Sequence, residues 1–295
     1  MTRTTGLPAP NIMMTRDSPT NTSSGLTRDD PGTGPGEPEK YYPRIKRNYA
    51  RVIPRNTIQG TALGLVLQDS GCKRAYLLRD GTWQGREVVQ SVRRFARRHD
   101  IAVVGLGPIH SRAPNYRGLA TAIRDRRADC MLFSGLGTDN AVQLFRDVSR
   151  VVPGAQLFGS DELAAAPWFT DPRRGGIPRR VARKTLLTHP ALAHSAYPPA
   201  GQDFFTRYRA RYGTSARFYG IYGYEAMSLV LDAIERAGTE GDKRAAVIAA
   251  GFATRQRQSV LGTYSIDRFG DTTLTDYGVY RIEHGRLSWD RVVRP

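Results

Sequence analysis

Apolar residues along this chain recur in two periods, and the clearest alternation runs from Lys73 to Gly137. AYLLR is a short apolar run closed by the turn-forming Asp80-Gly81. Val88, Val92 and Phe95 then recur at helical spacing, with Arg93, Arg94, Arg97 and Arg98 mostly off that face. IAVVGLG is a second apolar run, too short for a helix. Leu119, Ala122 and Ile123 mark another amphipathic helix, and CMLFSG is a third buried run. Strands apolar throughout, alternating with helices, predict a parallel sheet covered on both faces. Ligands of such sheets bind outside the carboxyl ends of the strands. Here those loops are Arg79 to Gln84, Gly107 to Ser111 and Ser134 to Thr138.

The pattern extends in both directions. Asn56 to Gln68 predicts a helix before the first strand, and Asn140 to Arg150 a third crossover helix. AQLFGSDE is a fourth strand running into a loop with Asp161 and Glu162, and ARKTLLTH a fifth. Helices are predicted over DFFTRYRARYG, Tyr222 to Ala237, and Asp242 to Phe252 with Asp242 near the N-cap. Tyr222 to Ala237 is apolar around much of its circumference, so it calls for burial on several sides. The tail from Val260 alternates and carries Gly-Asp and His-Gly turns, predicting strands and a closing hairpin. Residues 1 to about 50 are irregular. NIMMT reads as at most a short strand, and DDPGTGPGEPEKYYP holds too much Pro and Gly for a regular element. Composition favours a disordered leader there; the alternative is a loop whose hydroxyls and backbone N–H groups hold an anion.

Charge alters the picture little. The net charge of +17 suits nucleic acid or an anionic surface, yet the arginines are spread over every segment without an aromatic-interleaved groove. No nucleic-acid partner is expected. No apolar run is long enough to span a membrane, and MTRTTGLPAPNIMM has no apolar signal core. Cys72 and Cys130 exclude a disulfide-dense scaffold and a cysteine-based zinc site. Buried free thiols are the expectation for them, with a disulfide as the alternative.

Catalytic signatures are missing. There is no G-x-S-x-G elbow and no P-loop, and Gly105-Leu-Gly107 lacks the third glycine of a dinucleotide fingerprint. The five histidines have no metal-ligand spacing. His110 and Ser111 are adjacent, and adjacent side chains of a strand point to opposite faces. The expectation is a protein that is not an enzyme and carries no cofactor and no metal.

Taken together, SPTNTSSGLT, YYPRIKRNYARVIPRNTIQGTAL, KRAYLLRDGTWQGREV, QLFGSDE, FYGIYGYEAMSLVLDAIERAG and LGTYSIDRFGDTTLTDYGVYRIEHG resemble the branched-chain amino-acid (Leu/Ile/Val-type) substrate-binding proteins of ABC transporters, the type 1 periplasmic binding proteins. The likeness runs from about Ile12 onward. It implies an α/β fold of two Rossmann-like lobes with parallel sheets and the ligand between them. Lobe 1 would comprise 1–50 and 190–258, and lobe 2 51–189 and 259–295. It further implies a small-molecule ligand (an amino acid or amide), ABC permease partners and an extracytoplasmic place, in periplasm or at the cell surface. With no signal peptide visible, a cytoplasmic place is the alternative.

The resemblance also places candidate ligand residues. The S-P-x-x-T loop matches Ser18, Asn21 and Thr22. Trp83 matches the aromatic that packs on the ligand. Gly135 stands where an aromatic is often found, and Asp161 matches the acid that pairs with the ligand ammonium. Family members carry further lobe 1 strands before the position of Ile12, so the resemblance implies an N-terminally incomplete lobe 1. The helix from Tyr222 to Ala237 should then expose apolar surface. Two rival functions share the residues: a ligand-sensing regulatory domain of the same fold, and a basic nucleic-acid-associated protein.

Overall fold

The computed structural model describes residues 11–12, 24–42, 46–135 and 140–295. The chain begins with β1 (Asn11–Ile12), β2 (Tyr49–Ala50), α1 (Asn56–Asp69), β3 (Arg74–Arg79), α2 (Trp83–Ala96) and β4 (Ala102–Pro108). It continues with α3 (Arg117–Asp125), β5 (Cys130–Ser134), α4 (Ala141–Val151), β6 (Gln156–Gly159), three short helices α5 (Asp161–Ala164), α6 (Pro167–Thr170) and α7 (Arg179–Ala182), and β7 (Thr185–His189). Then come α8 (Pro199–Tyr212), α9 (Gly220–Ala237), α10 (Arg244–Phe252), β8 (Arg257–Ser259), β9 (Gly262–Tyr264), β10 (Tyr277–Glu283) and β11 (Arg286–Val293).

Seven strands form one sheet in the order β11-β10-β7-β6-β5-β3-β4. The five strands from β3 to β7 run parallel, and β10 joins antiparallel to both β7 and β11. The expected parallel sheet is therefore present with an antiparallel hairpin on one side. That hairpin turns at His284 and Gly285, both at positive φ, the conformation a tight two-residue turn demands.

Alternation along each buried strand divides two apolar layers. Ala75, Leu77, Cys130, Leu132 and Phe158 face α1 and α2, while Leu78, Met131, Phe133 and Leu157 face α3, α4 and the short helices. Successive strand residues point to opposite faces, which is why uninterrupted apolar runs were needed. A third core joins Ala50, Val52 and Ile53 to Phe204, Phe205, Ile221, Leu229, Tyr264 and Ile266. In α9, Ile221, Ala226, Leu229 and Ala233 are buried, whereas Tyr224, Met227, Leu231 and Ile234 are 40–59% exposed. The apolar exposure expected of this helix is present.

Three expectations need correction. The helix expected from Asp242 begins at Arg244, with Lys243 as an N-cap that makes no side-chain cap and Asp242 just before it. Cys72 and Cys130 are joined as a disulfide, with Cα atoms 5.9 Å apart. Cys130 opens β5 and Cys72 precedes its neighbour β3, so parallel pairing brings the two together. Residues 24–42 are not a loose leader. They have little regular structure, but Ser24 and Thr27 are fully buried. Thr27 Oγ1 donates to Asp271 across 2.9 Å, and Arg28 Nε does so across 2.8 Å. Arg51 Nε lies 2.9 Å from the same carboxylate. Burial pushes the Asp271 carboxyl up, but Arg51, Arg28 and Arg55 together hold it below its usual range. Composition is blind to such long-range partners, which offset the entropy of ordering a Pro/Gly-rich chain.

Candidate functional site

The carboxyl ends of β3, β5 and β6 lie side by side in the sheet, and side-chain hydrogen bonds fix the turn after β3. After β3, Thr82 caps α2 by accepting from the Gly85 N–H across 3.0 Å, and its hydroxyl donates to Asp80 across 2.6 Å. The Asp80 side chain is wedged between two glycines. A Cβ on Gly85 would sit 2.4 Å from its Oδ1, and one on Gly135 would sit 2.7 Å from its Cβ. Both positions exclude a side chain by contact. Gly135 thus clears room for Asp80.

Asp161 opens α5 beyond β6 and is 2% exposed. Its Oδ1 accepts from Gln59 Nε2 at 2.8 Å and from Gln84 Nε2 at 3.3 Å. Its Oδ2 accepts from the Tyr219 hydroxyl at 2.9 Å. All three donors are neutral. Burial pushes the Asp161 carboxyl above its usual range, and the bonds from Gln59 and Tyr219 recover only part of that. Next to it, burial and the charges of Asp161 and Asp80 push Glu162 up to about 7, against a smaller opposing effect of a hydrogen bond from Gln84. Among the described residues neither Asp161 nor Glu162 forms an ion pair, in a chain with 44 Lys and Arg against 27 Asp and Glu. A negative charge kept in low dielectric and met only by neutral donors favours a cation beside it.

Tyr219, just before α9, is itself held by aromatics. The His189 ring lies 4.9 Å from it and 4.3 Å from Phe218. Burial holds His189 neutral, with a pKa pushed down to about 3. Its Nδ1 accepts from the Ala191 N–H at 2.9 Å. Two fully buried hydroxyls at the strand ends, Ser134 Oγ and Ser160 Oγ, have no hydrogen-bond partner among the described residues.

Trp83 is the first residue of α2 and 48% exposed. The Arg86 guanidinium lies 4.7 Å from its ring, and Gly34 packs beside it. Gln84, the next residue, reaches Asp161, so the start of α2 and the start of α5 meet through this amide. Ser18, Asn21 and Thr22 lie outside the described residues. The chain just after them is anchored one turn along α2 from Trp83. The Ser24 N–H donates to Glu87 at 2.9 Å and the Gly25 N–H at 3.4 Å. Asn56 Nδ2 also donates to this buried carboxylate, at 2.7 Å. N–H groups in this segment do hold an anion, and it is the protein's own Glu87.

Gln59, Gln84 and Tyr219 were missed by sequence reasoning. Gln59 stood on a helix read only for its apolar face. Tyr219 lies within FYGIYGYE, whose pattern marks a helix start and not a hydrogen-bond donor.

A family model described as periplasmic binding protein matches residues 31–286. No curated protein matches the sequence. Among similar solved structures is a leucine binding protein from Thermotoga maritima, with a TM-score of 0.67 at 20% identity over 84% of this chain and 68% of that one. A second is an ABC transporter substrate-binding protein from Desulfitobacterium hafniense in complex with Leu, with a TM-score of 0.68 at 18% identity over 82% of this chain and 68% of that one. A third is an ABC transporter solute binding protein from R. palustris in complex with benzoate, with a TM-score of 0.65 at 17% identity over 84% of this chain and 66% of that one. At such identities the likeness is one of fold.

Proposed function

Because the chain belongs to the periplasmic binding protein family, we propose that it is the solute-binding component of an ABC importer and captures a branched-chain or related amino acid, or a small amide. The observation that carries this reading is the buried Asp161 carboxylate, whose donors, Gln59, Gln84, Tyr219 and the backbone N–H groups of Asp161 and Glu162, are all neutral. An ammonium group placed there supplies the missing countercharge, and a charge-assisted hydrogen bond is about twice as strong as a neutral one.

The other parts are assigned around it. Residues 1–50 and 190–258 form one lobe, and 51–189 and 259–295 the other. Tyr219 of the first meeting Asp161 of the second is the contact expected where two lobes close on a ligand. Ser18, Asn21 and Thr22 hold the ligand carboxylate; the anchoring of Ser24 on Glu87, one turn from Trp83, supports this. Trp83 covers the ligand side chain, and Gly135 with the unpartnered Ser134 and Ser160 hydroxyls borders the polar end. No bond is made or broken in this reading; affinity comes from closure and burial. The permease subunits are its partners.

An extracytoplasmic location follows from the same reading. The Cys72–Cys130 disulfide supports it, because such bonds persist in oxidising compartments and are rare where thiols are kept reduced. No helix among the described residues is long and apolar enough to cross a membrane. Thermal shift of the purified chain against a panel of amino acids, amides and aromatic acids tests the assignment. Stabilisation by amino acids or amides is expected; stabilisation by carboxylic acids lacking both an amine and an amide, and by neither amino acids nor amides, would overturn it.

A further inference from the structure

The seven-stranded sheet ends at β4, which pairs with β3 on one side and, among the described residues, with no strand on the other. Its free edge is open and exposed: Ala102, Leu106 and Pro108 are solvent-facing and the rest are half-buried. A register shift near Val104 gives its carbonyl to Arg126 Nη1 at 2.8 Å. Further along, the Ile109 N–H donates to the Arg79 carbonyl at 2.8 Å. Residues of a parallel ladder alternate between their two neighbours, so Leu106 turns its N–H and carbonyl outward.

A groove of about 550 Å³ follows this edge, lined by Val103, Leu106, Arg93, Arg97 and Arg126 among others. The arginines come from both faces of the sheet. Arg93 lies in the last turn of α2 and Arg97 is the residue just after it, one turn along; α2 covers one layer. Arg126 follows α3, which covers the other. No carboxylate lines the groove, and none of the three arginines forms an ion pair among the described residues.

We propose that the free edge of β4 receives an extended acidic segment of another protein, which adds a strand to the sheet and sets its carboxylates against Arg93, Arg97 and Arg126. Unpaired edge groups supply the main-chain hydrogen bonds that strand addition uses. The charge selects the occupant. A second copy of this chain would bring the same three arginines to the same place, and like charges facing each other across strands repel. A nucleic acid would answer the cations but leave the outward N–H and carbonyl of Leu106 unused. The surface is separate from the ligand site proposed above and does not depend on it.

The test uses the whole chain and a short fluorescein-labelled peptide alternating valine and glutamate. Fluorescence anisotropy reads binding, and hydrogen exchange reads protection of residues 102–108. The glutamate peptide is expected to bind and to protect β4, while a lysine counterpart does not bind. The triple variant Arg93→Glu, Arg97→Glu, Arg126→Glu is expected to weaken binding about tenfold or more. The same peptide N-methylated throughout keeps its carboxylates and is expected to lose binding. Equal binding of the N-methylated peptide, tighter binding of a single-stranded oligonucleotide, self-association through β4, or no binding of the glutamate peptide would each overturn the proposal.

Discussion

The Tyr219 hydroxyl donates to Oδ2 of Asp161 across 2.9 Å, joining residues 58 positions apart in sequence. Around it the carboxylate has only amide donors, so each one matters. Burial and the nearby charges of Asp161 and Glu162 raise the Tyr219 phenol well above its usual range, so it stays a donor at every physiological pH. Tyr219→Phe leaves a buried carboxylate short of one donor. The expected loss of stability is about 1–3 kcal/mol, read by urea unfolding. An unchanged midpoint and slope would mean that the contact contributes nothing.

Glu162 gives the site a pH signature. Its carboxyl is raised from 4.5 to about 7 by burial, Asp161 and Asp80. A carboxyl more basic folded than unfolded favours folding when protonated. Its contribution is therefore complete below about pH 4.5 and is lost as pH rises through about 7. Glu162→Gln should flatten the stability profile across that window in thermal melts. An ammonium bound beside Glu162 favours its charged form, so ligand binding should release protons there, seen by calorimetry in buffers of different ionisation enthalpy. Profiles that superimpose for both proteins would refute this.

The disulfide closes a loop spanning a sequence separation of 58. Chain-entropy arguments and measured cases give about 2–5 kcal/mol for such a bond. Reducing agent, or Cys72→Ser with Cys130→Ser, should lower the unfolding midpoint accordingly. As the sequence has 2 Cys, thiol titration of the denatured, unreduced protein should find no free thiol. Two reactive thiols in protein secreted through an oxidising compartment would contradict the bond.

The exposed face of α9 is not needed by the fold described here. Met227 and Leu231, 50% and 59% exposed, lie opposite the buried stripe. Met227→Lys with Leu231→Glu should change stability by less than about 0.5 kcal/mol. The pair should also reduce binding of an apolar dye and slow aggregation. A clear loss of stability would show that this face packs against something in solution.

The strands were legible because burial on both faces demands unbroken apolar runs: AYLLR became β3 and CMLFS became β5. The hairpin was legible from His284-Gly285, since a turn of that kind needs positive φ. Residues 24–42 were misread because their order comes from Glu87 and Asp271, partners 63 and 244 positions away. The disulfide is not legible in the sequence because thiol geometry depends on which strands become neighbours. At the site, Asp161 stood out by its place after a strand, whereas Gln59 reaches it from 102 positions away on a helix. Nothing in local pattern marks such a partner. Gly135 was seen as a gap where a side chain was missing, and its physical reason is the Asp80 side chain pressed against it.

The central claim is that Asp161 receives the ammonium of a bound amino acid. Isothermal titration of leucine, isoleucine and valine into the wild-type chain and into Asp161→Asn measures it most directly. The account predicts that at least one binds the wild type and that the variant, isosteric but uncharged, loses affinity by about tenfold or more. Equal affinity of the two proteins for the same amino acid would contradict it.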